Sequence, residues 1–395
     1  MSAIDDTRSF PPVDDEHTQR IPAVADAPPA PPVQKGDDEA EFKPGAAGRS
    51  ARWVLRLFLL WLVVLFPANL LSPFSLTQTT VTHLTEAVVF AIIGLSLNVL
   101  LGYAGQISLG HQAFVGVGAF TAAYLVTELE LDFFAALAVA AVFGGVQAAA
   151  LGAVSLRVSG LYFALVTLAY GAFAENTLFG IESITRGEAG ITIARPPAFA
   201  TEERFYLLCL AFLAIVLWLD WRLTRSKAGR ALRALRENPR VASSYGVDVR
   251  AYTMIAFVVA GVFAGLGGAL FAARQTLVVP SSFSFTLALT FVLMTVVGGL
   301  RNRVGVVIGA AFFALLGSGE LVHALGVDGF LEGTLGLPVE FVPLVIGPIL
   351  LLLTITLYPG GIGQQVAPLQ GWIAGRRFDR HAGKVDEVEV NDVRA

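Results

Sequence analysis

The 395-residue chain has one cysteine, Cys209, set in an apolar run, so no intramolecular disulfide can form and the thiol reads as packing. Charge is also scarce. Asp, Glu, Lys and Arg make up 15% of the residues against 55% hydrophobic, and the mean hydropathy is +0.68. That balance argues against a soluble globular protein. No G-x-x-x-x-G-K-[ST] phosphate loop occurs, because Gly383-Lys384 is followed by Val385 in a polar tail. The chain therefore lacks that route to binding and hydrolysing ATP. It has neither a G-x-S-x-G nucleophile turn nor an H-E-x-x-H zinc helix. Histidine is limited to five residues. The pairs His83 with Glu86 and Glu320 with His323 have one-turn spacing that could hold a metal, but both lie near span ends at the outer surface and histidines are few, so no metal site is expected. No catalytic residue, metal or cofactor is expected.

The net charge of -4 is unevenly spread. Residues 1 to 50 carry DDT, PPVDDEH, APPAPP and KGDDEAEF, an acidic, Pro-rich stretch that cannot bury enough apolar surface to offset the entropy of ordering it. It reads as a disordered tail, and it lacks the basic start and apolar core of a secretory signal. The basic groups cluster beside apolar runs, so nucleic-acid binding is not indicated.

Ten apolar spans follow, at about Trp53 to Leu71, His83 to Gly102, Ile107 to Thr127, Phe133 to Leu156, Leu161 to Phe179, Phe205 to Leu223, Tyr252 to Ala273, Phe285 to Leu300, Val304 to Leu325 and Phe341 to Tyr358. An all-α polytopic membrane protein is expected, with some segments broken or re-entrant. The connections orient it. With a cytoplasmic N-terminus, Arg49, Arg52, Arg157, a long basic segment, Arg301, Arg303, Arg376 and Arg377 fall inside. Glu128, Glu130 and Asp132, and then Asp328, Glu332 and Glu340, fall outside. Ten spans with both ends cytoplasmic satisfy the positive-inside bias, and only the outer stretch from Gly180 to Arg204 is mixed. The domain plan is a tail (1–50), a membrane domain (51–362) and a C-terminal cytoplasmic tail (363–395), in a multi-pass protein of the plasma membrane.

The long basic segment, residues 221–250, interrupts the apolar body with Arg222, Arg225, Lys227, Arg230, Arg233, Arg236 and Arg240. Ser226 suits a helix N-cap, Ala228 to Asn238 is rich in good helix formers, and Pro239 forces a break or a new first turn. A second short helix, Pro239 to Tyr245, stops at Gly246, which suits the left-handed C-terminal position. Two short helices outside the membrane are predicted. They serve either as a topology anchor against headgroups or as a docking surface.

Glycine and polar residues collect where two spans begin, in GYAGQISLGH (102–111) and VSGLYF (158–163). Broken helix ends at membrane depth require cover from protein or a water-filled cavity. Gln106, Ser108 and His111 are the residues assigned to a substrate path. Most other glycines, such as Gly116, Gly118, Gly261, Gly265 and Gly268, fit close helix packing. Among the polar residues near span ends, Asn98, Gln147, Glu175, Asn176 and Glu320, Glu175 is the best candidate for an ionisable group facing a path.

Four segments together carry a resemblance: Gly94 to Leu125, Gly160 to Gly171, Ser226 to Leu270 and Val296 to Leu316. In order, and over about residues 53 to 362, they resemble the permease subunit of bacterial branched-chain amino acid ABC importers. The resemblance implies a second homologous permease subunit, two cytoplasmic ATP-binding subunits and an extracytoplasmic substrate-binding protein. ATP would be bound by the partners alone. The coupling loop of that family corresponds to Arg230 to Gly246, with Glu237, Ala242 and Gly246 at matching positions and Arg230, Arg233 and Arg236 on its first helix. Two departures, Ser243-Ser244-Tyr245 for an Ala- and Glu-rich run and Thr253 for a frequent Lys, bear on which ATPase pairs with it. Related permeases carry urea, short amides or other solutes. An ion-coupled secondary transporter is the reading from another class, and it would rest on Glu175.

Overall fold

The computed structural model describes residues 77–158, 160–318, 342–357 and 360–373. The span at Trp53 to Leu71, the N-terminal tail, Glu320, His323, Asp328, Glu332, Glu340, Arg376 and Arg377 lie outside the described residues, as does the C-terminal tail beyond residue 373, while its first residues, 363–373, are helical. Within them the architecture is helical. One two-stranded antiparallel bridge, β1 (Ile191–Thr192) with β2 (Leu277–Val278), is the exception.

At the centre stands α1 (Gln78–Leu97), buried without interruption from Ala87 to Leu97. Its apolar residues cover every face, as befits a helix surrounded by others. The remaining long elements are α2 (His111–Thr127), α3 (Phe133–Ser155), α4 (Leu161–Phe173), α5 (Glu202–Arg225), α8 (Val249–Gln275), α9 (Phe285–Gly298), α10 (Arg303–Gly317), α11 (Val342–Leu357) and α12 (Gly361–Ile373). Between α5 and α8 lie the short α6 (Lys227–Glu237) and α7 (Pro239–Ser244). Among the described residues, five helical stretches are long and apolar enough to cross a membrane: Gln78–Tyr103, Phe133–Ser155, Glu202–Arg225, Val249–Gln275 and Pro280–Gly298. Shorter helices overlap the predicted spans at Ile107, Leu161, Val304 and Phe341. Two of them are short for a visible reason: α2 begins only after a non-helical stretch, and α4 passes into a π-helical turn at Ala174–Leu178.

Glycine sets how closely α8 approaches its neighbours. A Cβ on Gly118 or Gly268 would fall on backbone of the facing helix in the α2–α8 crossing, and one on Gly144, Gly261 or Gly265 would do so in the α3–α8 crossing. Gly116 differs, since its open side is filled by the Phe179 and Phe283 rings. These rings belong to a series that runs from Phe120 through Phe179, Phe283 and Phe271 to Phe90 and Phe291, with successive centroids 5.0 to 6.2 Å apart. Contact geometry of this kind drives helix association where lipid removes the hydrophobic incentive.

The connections sort to two ends. At one end, Arg195 from the stretch after α4 donates to the Ala273 and Arg274 carbonyls at 2.8 and 3.1 Å and pairs with Glu202 at 2.7 Å. It thereby satisfies carbonyls that the last turn of α8 leaves open. Arg274 reaches Glu86 at 3.3 Å, so Glu86 of the His83 and Glu86 pair is held by a cation. Arg186 pairs with Glu128 at the same end. The other end holds α6, α7 and the loop from Gly299 to Asn302.

Candidate functional site

The basic segment forms the two helices that local chemistry dictates. Ser226 caps α6, its Oγ accepting from the Gly229 amide at 3.3 Å. Asn238 ends α6 and caps α7, accepting from the Arg240 and Val241 amides at 3.0 and 3.2 Å, with Pro239 in the first turn. Gly246 stops α7 at φ +79°, and Asp248 caps α8 through the Arg250 and Ala251 amides. Leu232, Leu235 and Ala242 are buried inward. Arg230, Arg233, Glu237, Arg240 and Tyr245 are exposed. The pair of helices is thus seated on the bundle by its apolar face and presents a basic one.

Of the predicted coupling residues, Arg236 reaches into the bundle. Arg236 Nη1 donates to the Gly102 carbonyl, and its stem lies against Gly105. Burial, with Arg301 acting in the same sense and Glu237 opposing, holds the Arg236 pKa below its ordinary value, although a guanidinium stays charged. Glu237 approaches Arg301 at 4.0 Å in an exposed, weak pair. Among the described residues, Arg230 and Arg233 hydrogen-bond only to the backbone carbonyls of Arg225 and Thr224, at 3.3 and 3.4 Å. Ala242 packs, and Gly246 turns the chain.

Gly102 lies in a π-helical turn, Asn98–Tyr103, that continues α1. Single π turns inside helices concentrate at functional sites. Here the turn is a junction. Asn98 Oδ1 accepts from the Arg301 amide at 2.8 Å, and Tyr103 donates its hydroxyl to Asp220 Oδ2 at 3.1 Å. Asp220, on α5, is fully buried and is also met by Arg303 Nε, while Arg303 Nη2 reaches the Thr224 hydroxyl. The end of α1 is therefore tied to α5, α6 and the α9–α10 loop by charged or polar contacts.

Beyond the junction, residues 104–110 are not helical although Ala104, Ser108 and Gly110 are buried. Their backbone is partly satisfied by α4: the Leu109 amide donates to Thr167 Oγ1 at 2.9 Å, and Gly110 sits against the Thr167 carbonyl. His111 then opens α2. The Ser96 hydroxyl donates to the Ala260 carbonyl at 2.6 Å, so the 2.9 Å contact between Ser96 Oγ and His111 Nε2 uses a proton on the imidazole. This leaves His111 Nδ1 as a buried acceptor. It has no partner among the described residues, nor do Ser108 Oγ, Gln112 Oε1 and Gln147 Oε1 nearby. The Gln147 amide itself donates to the Ala113 carbonyl at 3.3 Å. Four unsatisfied polar atoms around one broken helix are unusual for a buried region.

Of the predicted path residues, Gln106, Ser108 and His111 are thus brought together at the break. Glu175 is not with them: it lies eight residues past Thr167 in the π turn after α4, roughly 12 Å further along the helix. In the second glycine segment, α4 starts directly after Gly160 at φ +64°, with Leu161 and Tyr162 exposed, so this segment is a connection and not a buried break. Asp220, Arg303, Tyr103 and Ser96 were not singled out from the sequence as site residues. Asp220 gave the clearest signal, as the one acid closing an apolar run ahead of six basic residues.

Comparison with known proteins agrees over most of this region. The family model for the permease component of branched-chain amino acid transport systems matches residues 79–354. The high-affinity branched-chain amino acid transport system permease protein LivM of Escherichia coli strain K12 is 33% identical over 283 residues, 65% of this chain and 66% of that protein. Its namesake in Salmonella typhimurium is 31% identical over 288 residues, 66% of this chain and 67% of the relative. The chain thus spans about two-thirds of the length of the relatives it matches. No solved structure matches.

Proposed function

The chain belongs to the branched-chain amino acid transport permease family of the ABC superfamily, and from that premise we propose that it is the non-catalytic permease subunit of an ATP-driven branched-chain amino acid importer. The observation that carries this reading is the pair α6 and α7, an ordered basic platform whose Arg236 is bonded to the turn where α1 ends. ATP-binding subunits dock on that platform through Arg230, Arg233, Arg236, Glu237, Ala242 and Gly246. A second homologous permease and an extracytoplasmic binding protein complete the assembly. The chain crosses the plasma membrane ten times between residues 51 and 362, with both tails, 1–50 and 363–395, in the cytoplasm. The solute path passes the break at Gln106, Ser108 and His111 and leaves toward Glu175.

Mechanically, closure of the ATPases moves α6, and Arg236 passes the displacement to Gly102. There the chain has no regular helix to resist it, so one access state is favoured over the other. Deleting Arg230 to Gly246 is expected to abolish ATP-dependent leucine uptake and copurification of the ATP-binding subunits while membrane insertion persists. Uptake retained by the deletion overturns the reading. Collapse of the proton gradient with ATP maintained leaves uptake intact if ATP is the driver, and stops it if an ion-coupled carrier built on Glu175 is at work. Arg236→Ala tests the linkage itself: ATPase copurification is expected to persist while leucine uptake falls about tenfold, within the range of coupling free energies.

A further inference from the structure

Beside the Arg236 linkage, the last turn of α5, the first turns of α6 and the α9–α10 loop enclose a cavity of about 550 Å³. Five arginines line it: Arg225, Arg230, Arg233, Arg301 and Arg303. Two acids answer them. Buried Asp220 takes Arg303, and Glu237 reaches Arg301 from the rim. Arg225, Arg230 and Arg233 have no acidic partner among the described residues, so three like charges converge on one concavity. An anion of more than one negative oxygen would relieve their mutual repulsion.

The position of the cavity selects the anion. Trp221 and Arg225 also line a second, apolar groove of about 820 Å³ between α5 and α8, whose floor includes Leu219, Val258, Val262 and Phe263. Arg222 lies over the Trp218 ring at 5.7 Å and Arg225 over Trp221 at 4.4 Å. Trp218 and Trp221 are both substantially exposed. Tryptophans paired with cations one helical turn apart, at the end of an apolar helix, mark the level of lipid headgroups. A basic cavity at that level, sharing Trp221 and Arg225 with an apolar groove between α5 and α8, matches the charge and apolar pattern of a phospholipid.

We propose that the cavity binds the phosphate-bearing headgroup of an anionic phospholipid, with an acyl chain lying in the α5–α8 groove. The lipid joins α5 and α6 through Arg225, Arg230 and Arg233, the arginines without an acidic partner among the described residues, with Arg301 of the α9–α10 loop on the same wall. The site depends on the chain crossing a membrane; it shares Arg230 and Arg233 with the platform proposed for the ATP-binding subunits, whereas Arg225 belongs to the cavity alone.

The test uses the full chain, purified in detergent and titrated with mixed micelles of phosphatidylglycerol or phosphatidylcholine, or with inorganic phosphate alone. Native mass spectrometry and thermal unfolding are the readouts. Phosphatidylglycerol is expected to remain bound through delipidation and to raise the unfolding midpoint, with phosphatidylcholine and free phosphate doing neither. Arg225→Gln is expected to lower phosphatidylglycerol retention roughly fivefold, the increment per basic residue near a charged membrane. Equal retention of the two lipids overturns the proposal without recourse to any variant. So does an equal response to free phosphate, which would make this a simple anion site. Loss of ATPase copurification in Arg225→Gln with lipid retention unchanged would assign the cavity to a protein partner and also overturn it.

Discussion

Asp220→Ala is expected to cost the folded chain roughly 3–5 kcal/mol, the range seen when one partner of a buried ion pair is removed. The carboxylate is fully buried and receives Tyr103 and Arg303 together, so its loss takes the acceptor from a buried phenol and the anion from a partly buried guanidinium that keeps only the Thr224 hydroxyl. The attraction between the charges matters less here than the cost of leaving Arg303 without an anion. A double variant separates the two contributions. Asp220→Ala with Arg303→Met removes both charges and should be markedly less destabilised than Asp220→Ala alone. Thermal unfolding in one detergent, compared across wild type, the two single variants and the double, reads this directly. A single Asp220→Ala within about 1 kcal/mol of wild type would contradict the buried-pair account.

Gly268→Val is expected to prevent the bundle from assembling normally. A Cβ at this position meets the Val115 carbonyl of α2, and no rotamer change moves a carbonyl out of the way. Overpacking a core usually costs about 1–3 kcal/mol because neighbouring side chains give way. Where the obstacle is backbone, the α2–α8 crossing itself must open. Loss of monodisperse protein on size-exclusion chromatography is the expected outcome, with little material recovered from membranes. Gly371→Ala is the control, since nothing lies within 4 Å of the added methyl. Equal recovery of the two variants would show that the close approach of α2 and α8 is not needed for folding.

What the sequence disclosed was local. Ser226, Asn238, Pro239 and Gly246 delimit α6 and α7 because capping and turn chemistry act within three or four residues. The break between α1 and α2 was legible in Gly102, Gly105 and Gly110 for the same reason. Contacts between distant segments were not. Arg236 looked like one of several arginines on a basic loop, yet its acceptor is a carbonyl 134 residues earlier. Asp220 is a lone acid at the end of an apolar run, yet its cation stands 83 residues later. Gly144 escaped notice beside Gly261 and Gly265, because small residues in an apolar run do not announce which helix they face. His111, read as a path residue, is also held by Ser96, which fixes its proton on Nε2.

The glycine crossings divide the bundle into stiff parts. α2, α3 and α8 touch through backbone, and so do α9 and α10, where Gly298, Gly305 and Gly309 face main-chain atoms of the opposing helix. Neither group can ratchet internally by a turn without lifting its members apart. α1 lies between them and meets both through side chains: Gly94 faces Val306 on one side, and Gly267 faces Ile92 and Ile93 on the other. Side-chain seams permit small shear where backbone seams do not. The central helix is thus the seam along which the two stiff groups can shear, and its π-wound end is where Arg236 of α6 is fastened.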